Sequence, residues 1–516
     1  MTGTRRVFVL IMCCLFSFGV DAQDNPQSIR QLLAGKIQQL TASLKYPGKC
    51  NQFYEFNQYE PVWTNNELSR LQLMSFLKEA SSLGLNEKDY QFAFIDSFRN
   101  NSRKFTDKND SILADIYFTD AAIHFFSDVA FGNKAPDLGY NGLKYSPDCL
   151  NIPSLLSSSL RSGRFSGFMK ETEPSSMDYS VLKTRITQYN KIIREPAFKE
   201  LRIGSTNMSD SNVQLMTKLY QLKIIDSAGM KFKANELKEK IMKAQRLFSL
   251  LEDGKLGPML KKELNVPLAA RVKELNRSIN TIRWLRCTGT RWQYRIIVNI
   301  PSATLMVHRL DDVVLRSKVI VGKKSRRTPK LASLVTDIVI YPYWMVPNKI
   351  ATRELLPLIK KDIGYLDANN FQVVNKKGKV LNPYNINWSE LSVGYFPYIL
   401  RQSTGCDNSL GIVKLNFSSP YDVYLHDTPG KSLFSYSKRF FSHGCIRVEK
   451  ALDLARLVLA EKSGIIEAYV KKGCLPDQKP VTIAAVEKMP VFVLYNTAWL
   501  DDANDVRFFG DVYNQL

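Results

Sequence analysis

The sequence predicts a multidomain α+β protein, helical through its first half and mainly β towards its C-terminal end. Its 516 residues suggest two to four domains with substantial cores. Apolar side chains recur at helical spacing as far as Leu285. From Tyr294 they gather instead in short runs rich in branched residues, as strands require. Hydrophobic residues at 45% and charged residues at 23% are ordinary for a globular chain.

The N-terminal residues carry an address. Arg5 and Arg6 precede an apolar run from Val7 to Val20, followed by Val20-Asp21-Ala22. That pattern is an export signal over 1–22, with the mature chain beginning near Gln23. The run is too short to favour a spanning helix, and no other apolar stretch of about 18 residues follows. Cys13 and Cys14 suggest a lipoprotein, but Met12 departs from the small residue such a site wants.

Residues 23–204 read as mainly helical. Leu71, Leu73, Phe76, Leu77 and Ala80 share a face before Leu83-Gly84-Leu85, and a second helix runs from Ile112 to Phe131. His124, between Ile123 and Phe125, reads as structural, and Glu173-Pro174-Ser175-Ser176 as a surface break. A small helical module occupies 205–267. Val272, Leu275, Ile279, Ile282 and Leu285 form the stripe of a connector helix over 268–290. The β domain, 291–516, opens with strands at Tyr294–Ile300, Thr304–Arg309 and Val313–Val321, and an insertion covers 349–400. Leu452, Ala455 and Leu459 mark a later helix, and Val491–Tyr495 a closing strand.

The mature chain keeps Cys50, Cys149, Cys287, Cys406, Cys445 and Cys474. Without Cys445 five remain, so not all can pair internally. A chain this large does not need stapling, and free structural cysteines are expected. The formal charge of +22, from 71 basic and 49 acidic residues, favours polyanionic partners. Neither zinc-finger spacing nor an RNA-recognition signature is present, so nucleic acid is not the expected partner.

Ser442-His443-Gly444-Cys445-Ile446-Arg447-Val448 concentrates chemistry in seven residues. Cysteine thiolate is a strong nucleophile, and a nearby imidazole or cation favours its formation. Cys445 is therefore read as nucleophile and His443 as its base. The Gly444 and Cys445 amides are placed to form an oxyanion hole, with Ser442 or a backbone carbonyl orienting His443. Arg447 can grip a carboxylate or form a structural ion pair. Upstream, Tyr421–Pro429 supplies Tyr424 and His426, expected to line the cleft and bind substrate. A zinc site of His426, His443 and Cys445 lacks a clear fourth ligand, so no metal or other cofactor is expected.

The spacing from His426 to Ser442-His443-Gly444-Cys445, with an arginine two residues on, resembles the YkuD-type L,D-transpeptidases. It is similar in particular to the large periplasmic murein L,D-transpeptidases, which precede the catalytic domain with scaffold and peptidoglycan-binding domains. Pro61-Val62-Trp63-Thr64 and Thr119-Asp120-Ala121-Ala122 resemble scaffold elements. Gln245, Leu250, Asp253-Gly254, Gly257-Pro258 and Leu264-Asn265 resemble the end of a peptidoglycan-binding domain, in which Ala244 replaces an aromatic and Phe248-Ser249 a His-Gly pair. Val321-Gly322-Lys323, Thr328-Pro329 and Tyr341–Pro347 resemble the catalytic sheet, and 349–400 its lid. The resemblance implies stem peptides as donor and acceptor, glycan strands as a further partner, 3→3 cross-links with release of D-alanine, and acylation by carbapenem-type β-lactams. L,D-carboxypeptidase activity and non-catalytic wall binding are the alternatives.

Overall fold

The computed structural model describes residues 26–99, 107–204, 208–475 and 478–515. Residues 1–22, expected to be an export signal, lie outside them. The chain divides into two compact units. One holds residues up to Met74 with Gln91–His124 and Ile152–Phe168; the other holds Ser75–Tyr90, Phe125–Asn151 and Met169–Leu516.

The first unit is helical and organised around buried carboxylates. Asp115 is fully buried and accepts hydrogen bonds from the Val62 (3.1 Å), Trp63 (2.7 Å) and Thr64 (3.0 Å) amides and from the Tyr54 hydroxyl (2.7 Å). Thr119 Oγ1 accepts from Trp63 Nε1 at 2.9 Å, and Asp120 from the Lys45 and Tyr46 amides. Burial on this scale requires such donors. His124 stacks edge-on against Tyr46.

In the second unit, helices Met177–Ile193 and Leu268–Leu285 bury Leu182, Ile186, Leu275 and Ile279 in one core. The helices of the small module, Met208–Gln221, Ala234–Leu247 and Pro258–Leu264, add Leu219, Leu247, Leu260 and Leu264 to that same core. Among its described residues, this module shares its core with those two helices.

The strands follow, with a small subdomain among them. They are β1 (Tyr140–Asn141), β2 (Tyr294–Asn299), β3 (Thr304–Arg309), β4 (Asp312–Gly322), β5 (Leu331–Ile340) and β6 (Trp344–Met345). Then come β7 (Phe371–Val374), β8 (Val380–Leu381), β9 (Ile399–Gln402), β10 (Val413–Phe417), β11 (Leu425–His426), β12 (Phe440–Ser442), β13 (Ile446–Val448) and β14 (Val481–Leu494). The main sheet runs β1-β5-β10-β11-β13-β4-β3-β2-β14, and β14 also pairs β5, so the path closes on itself. Val298, Leu305, Val319, Leu415, Leu425 and Ile446 fill its interior, capped by Leu454 and Leu459 of helix Ala451–Leu459. The insertion builds a four-stranded sheet, β6-β9-β7-β8. It has its own core of Leu356, Ile359, Leu366, Phe371, Trp388 and Leu400.

Two expectations change. The closing strand begins at Val481, not Val491, because Glu487 and Lys488 lie exposed on it and interrupt the apolar pattern. Four of the cysteines form disulfides, Cys149–Cys287 and Cys406–Cys474, with Cα separations of 5.3 and 5.6 Å, within the usual reach of the bond. Cys50 and Cys445 stay free, and the Cys50 thiol lies 3.7 Å from Asp120 Oδ1.

Candidate active site

Cys445 sits on the turn joining β12 to β13. Gly444 there has φ +122°, a conformation that favours glycine. The turn is braced from behind. Thr328 Oγ1 donates to the Gly444 carbonyl (2.8 Å) and accepts from the Gly322 amide (2.8 Å). Ser442 Oγ donates to the Cys445 carbonyl (2.5 Å) and accepts from the Gly444 amide (3.2 Å). This corrects two expectations. The Gly444 amide is occupied by Ser442 and is not free for an oxyanion, and Ser442 shapes the turn instead of orienting His443.

What His443 meets is Glu354, whose carboxylate oxygens lie 3.1 and 3.0 Å from its Nε2. Arg326 holds the same carboxylate at 2.9 Å. Partial burial lowers the His443 pKa, while Glu354 opposes that shift. Glu354 comes from the insertion, about 90 residues upstream, and nothing in the local pattern marks it.

Strand register collects the other residues. Leu425 pairs Ile446, and both are fully buried in the core. Alternation therefore places Tyr424, His426, Cys445 and Arg447 together on the opposite face. Across β10, β11 and β13, Lys414, His426 and Arg447 form one row, since Lys414 pairs His426 and His426 pairs Arg447. The sequence reading missed Lys414. Its signal was a charged residue inside the alternating strand Val413–Phe417.

The Tyr424 ring links the group. It lies 5.6 Å from the His426 ring, and the Lys414 ammonium lies 4.1 Å from its centroid; the Cys445 thiol itself donates to the Asp422 carbonyl at 3.9 Å. Burial pushes the Cys445 thiol up, against the backbone and hydroxyl of Tyr424, Lys414 and Arg447, which pull it down. Burial likewise lowers Lys414 and Arg447. Among the described residues neither makes an ion pair within 4.0 Å. His426 Nδ1 contacts the Asp427 carbonyl at 2.6 Å, a geometry satisfied when Nδ1 donates and Nε2 is left with its lone pair. Burial, with help from Arg447, depresses the His426 pKa to about 3, so the ring is neutral at ordinary pH. Asp427 is engaged by the Ile412 amide and by Lys431.

A thiol, a neutral imidazole and two cations without ion-pair partners among the described residues thus share one face. Residues 293–483 match the L,D-transpeptidase catalytic domain of the YkuD family. Residues 48–186 match the Scaffold domain. A Haemophilus influenzae protein named "Putative L,D-transpeptidase" is 39% identical over 218 residues, 42% of this chain and 44% of that protein. The match thus spans less than half of that curated relative. Solved structures similar to part of this chain include an L,D-transpeptidase from Mycobacterium smegmatis, at 15% identity over 39% of this chain and 58% of that one, with a TM-score of 0.18. An LD transpeptidase in complex with imipenem stands at 14% identity over 39% and 59%, also with a TM-score of 0.18.

Proposed function

We propose that the YkuD domain forms 3→3 cross-links between peptidoglycan stem peptides through a Cys445 thioester. The observation that carries this reading is the Cys445 thiol on the same sheet face as His426, Lys414 and Arg447, the two cations having no ion-pair partner among the described residues. Sγ attacks the carbonyl of the third stem residue, forming a C–S bond, and the C–N bond to the terminal D-alanine breaks. D-Alanine leaves with the proton. The side-chain amine of a second stem then attacks the thioester, the C–S bond breaks and the new amide is the cross-link. Arg447 and Lys414 provide the charge to hold the carboxylate of the departing D-alanine.

Because burial raises the thiol, attack needs a base. We assign that role to His426 in place of His443: its Nδ1 is tied to a carbonyl, its Nε2 is open, and it shares the Cys445 face. His443, with Glu354, holds the rim. The amide of Cys445 supplies an oxyanion donor. The enzyme is proposed to act in the periplasm after signal cleavage near Ala22, a compartment in which its two disulfides would persist. The small module offers weaker support for glycan binding, since its motif residues bond mainly to one another.

Incubation with tetrapeptide muropeptides tests the reading. Wild type should release D-alanine and yield cross-linked dimers, and Cys445→Ala neither; tripeptide without dimer would show water as the acceptor, and continued cross-linking by Cys445→Ala would refute it. A carbapenem should add its mass to wild type and not to Cys445→Ala.

A further inference from the structure

Cys445 leads into β13, which pairs β11 on one side and β4 on the other. The row of Arg447, His426 and Lys414 runs from β13 across β11 to β10. At the other side, beyond the end of β4, a second group of charges flanks the same turn. The loop after Gly322 is pinned there: the Lys323 amide donates to the Ser442 carbonyl at 3.0 Å, and the Arg326 amide to the Lys323 carbonyl at 2.8 Å. A Cβ on Gly322 would collide with the Arg326 carbonyl oxygen, so only glycine lets the loop fold back this tightly. Arg326 spends Nη2 on Glu354 at 2.9 Å and keeps the other donors of its fork. Lys323 makes no ion pair among the described residues. Burial lowers the His443 pKa, Glu354 opposes the shift, and the charges of Arg326 and Lys323 add to it, so both cations act close to the ring. Glu354 itself stands in a π turn, Ala351–Leu355, a form of helix frequent at functional sites. The group is open to solvent. The side chains of Arg326 and Glu354 keep 27% and 38% of their surface, and Lys323 is partly exposed.

We propose that Lys323, Arg326 and Glu354 form the subsite for the acceptor stem and select an amine that carries a carboxylate on its own carbon. The inference rests on the acyl transfer proposed above and names the second substrate of that site. Transfer between two stems needs a place for each beside one thiol, and the charges lie on the two sides of β13. Arg447 and Lys414 answer the carboxylate of the departing D-alanine. On the β4 side, Lys323 and the spare nitrogens of Arg326 suit a second carboxylate. Glu354 has lone pairs beyond those facing His443 and Arg326, and suits the ammonium form in which the amine arrives. Opposite charges this close favour a ligand that carries both. A simple amine would meet Lys323 and Arg326 with no anion to answer them, and a simple carboxylate would meet Glu354; like charges brought together weaken binding.

The test gives the full chain a tetrapeptide donor acetylated on its side-chain amine, so that it cannot also accept, and one of two tripeptide acceptors. These have no D-alanine to release and differ in one group. The third residue is diaminopimelate, with a carboxylate on the amine-bearing carbon, or lysine, without it. Mass spectrometry reads dimer, hydrolysed donor and D-alanine. Wild type should show a KM for the lysine acceptor about tenfold or more above that for the diaminopimelate acceptor, the worth of a hydrogen bond between charged groups. Lys323→Gln should raise the diaminopimelate KM by about tenfold and the lysine KM by less than about twofold. The preference then collapses, a split that simple loss of fold would not produce. Equal KM values in wild type would overturn the proposal without any variant, and so would a preference undiminished in Lys323→Gln. D-Alanine release with no dimer from either acceptor would overturn it too, leaving a hydrolase. No D-alanine release at all would refute the acyl transfer itself, and this subsite with it.

Discussion

The turn at Cys445 and the loop at Gln245 both carry sequence motifs rich in polar residues, and they use them in opposite ways. In the loop, Gln245 Nε2 donates to Asp253 Oδ1 (2.6 Å) and the Lys255 carbonyl (3.0 Å), while Gln245 Oε1 accepts from the Gly254 amide (2.9 Å). Phe248 is buried beneath the Arg271 guanidinium at 4.7 Å. Ser249 takes φ +53°, the conformation that suits the glycine expected there. The motif satisfies itself. At the turn, Ser442 and Thr328 satisfy the backbone, leaving Cys445, Lys414 and Arg447 facing outward with capacity to spare. Motif residues that bond to one another build a loop, and those left unpaired on a rigid support can meet a substrate.

The difference is open to direct attack. Cys445→Ala should lower cross-linking by at least about 10³-fold, the scale of losing a nucleophile, with an unchanged melting temperature by calorimetry. His426→Gln should cost about 10²- to 10⁴-fold in kcat, as for a general base, and His443→Gln less than about tenfold; the reverse order, read in muropeptide assays, would return the base to His443. Arg447→Met should raise KM for tetrapeptide donor by about tenfold or more, the worth of a hydrogen bond to a charged group. Donors amidated at the terminal carboxyl should show a smaller difference between wild type and variant.

Tyr424→Phe bears on pH. The hydroxyl helps lower the thiol pKa, so its removal raises that pKa. Carbapenem acylation should then need higher pH to reach the same rate, giving a profile displaced to the alkaline side when followed by intact mass. At the loop, Gln245→Ala should act on stability alone, costing about 1–3 kcal/mol for the unpaired groups it leaves. A change in acyl transfer with unchanged stability would remove the contrast between the two regions. Deletion of 205–267 is the wrong test of glycan binding, since Leu219, Leu247 and Leu260 would leave a core shared with Leu182 and Leu275.

Much of this was legible in the chain. Branched runs after Tyr294 located β2, β3 and β4 to within a residue or two, because local alternation is written locally. The turn that carries Cys445 could be picked out because its residues are contiguous. Glu354 and Lys414 were not, since each reaches the site through pairings with distant strands or through the inserted subdomain. The pairing of Cys149 with Cys287, separated by 138 residues, was hidden for the same reason. Two histidines precede the thiol in sequence, and only register showed which one shares its face.

The brace behind Gly444 also sets the order of events during synthesis. Thr328 is itself held by the Tyr513 hydroxyl, which accepts from its amide at 3.1 Å and donates to the Gly322 carbonyl at 2.6 Å. The sheet closes only when β14 pairs β5 and β2, and both β14 and Tyr513 follow Cys445 in the chain. A polypeptide still emerging from the ribosome therefore carries its cysteine on a turn whose brace Tyr513 and β14 do not yet hold. The turn that carries the thiol is therefore among the last parts of the sheet to be locked in place.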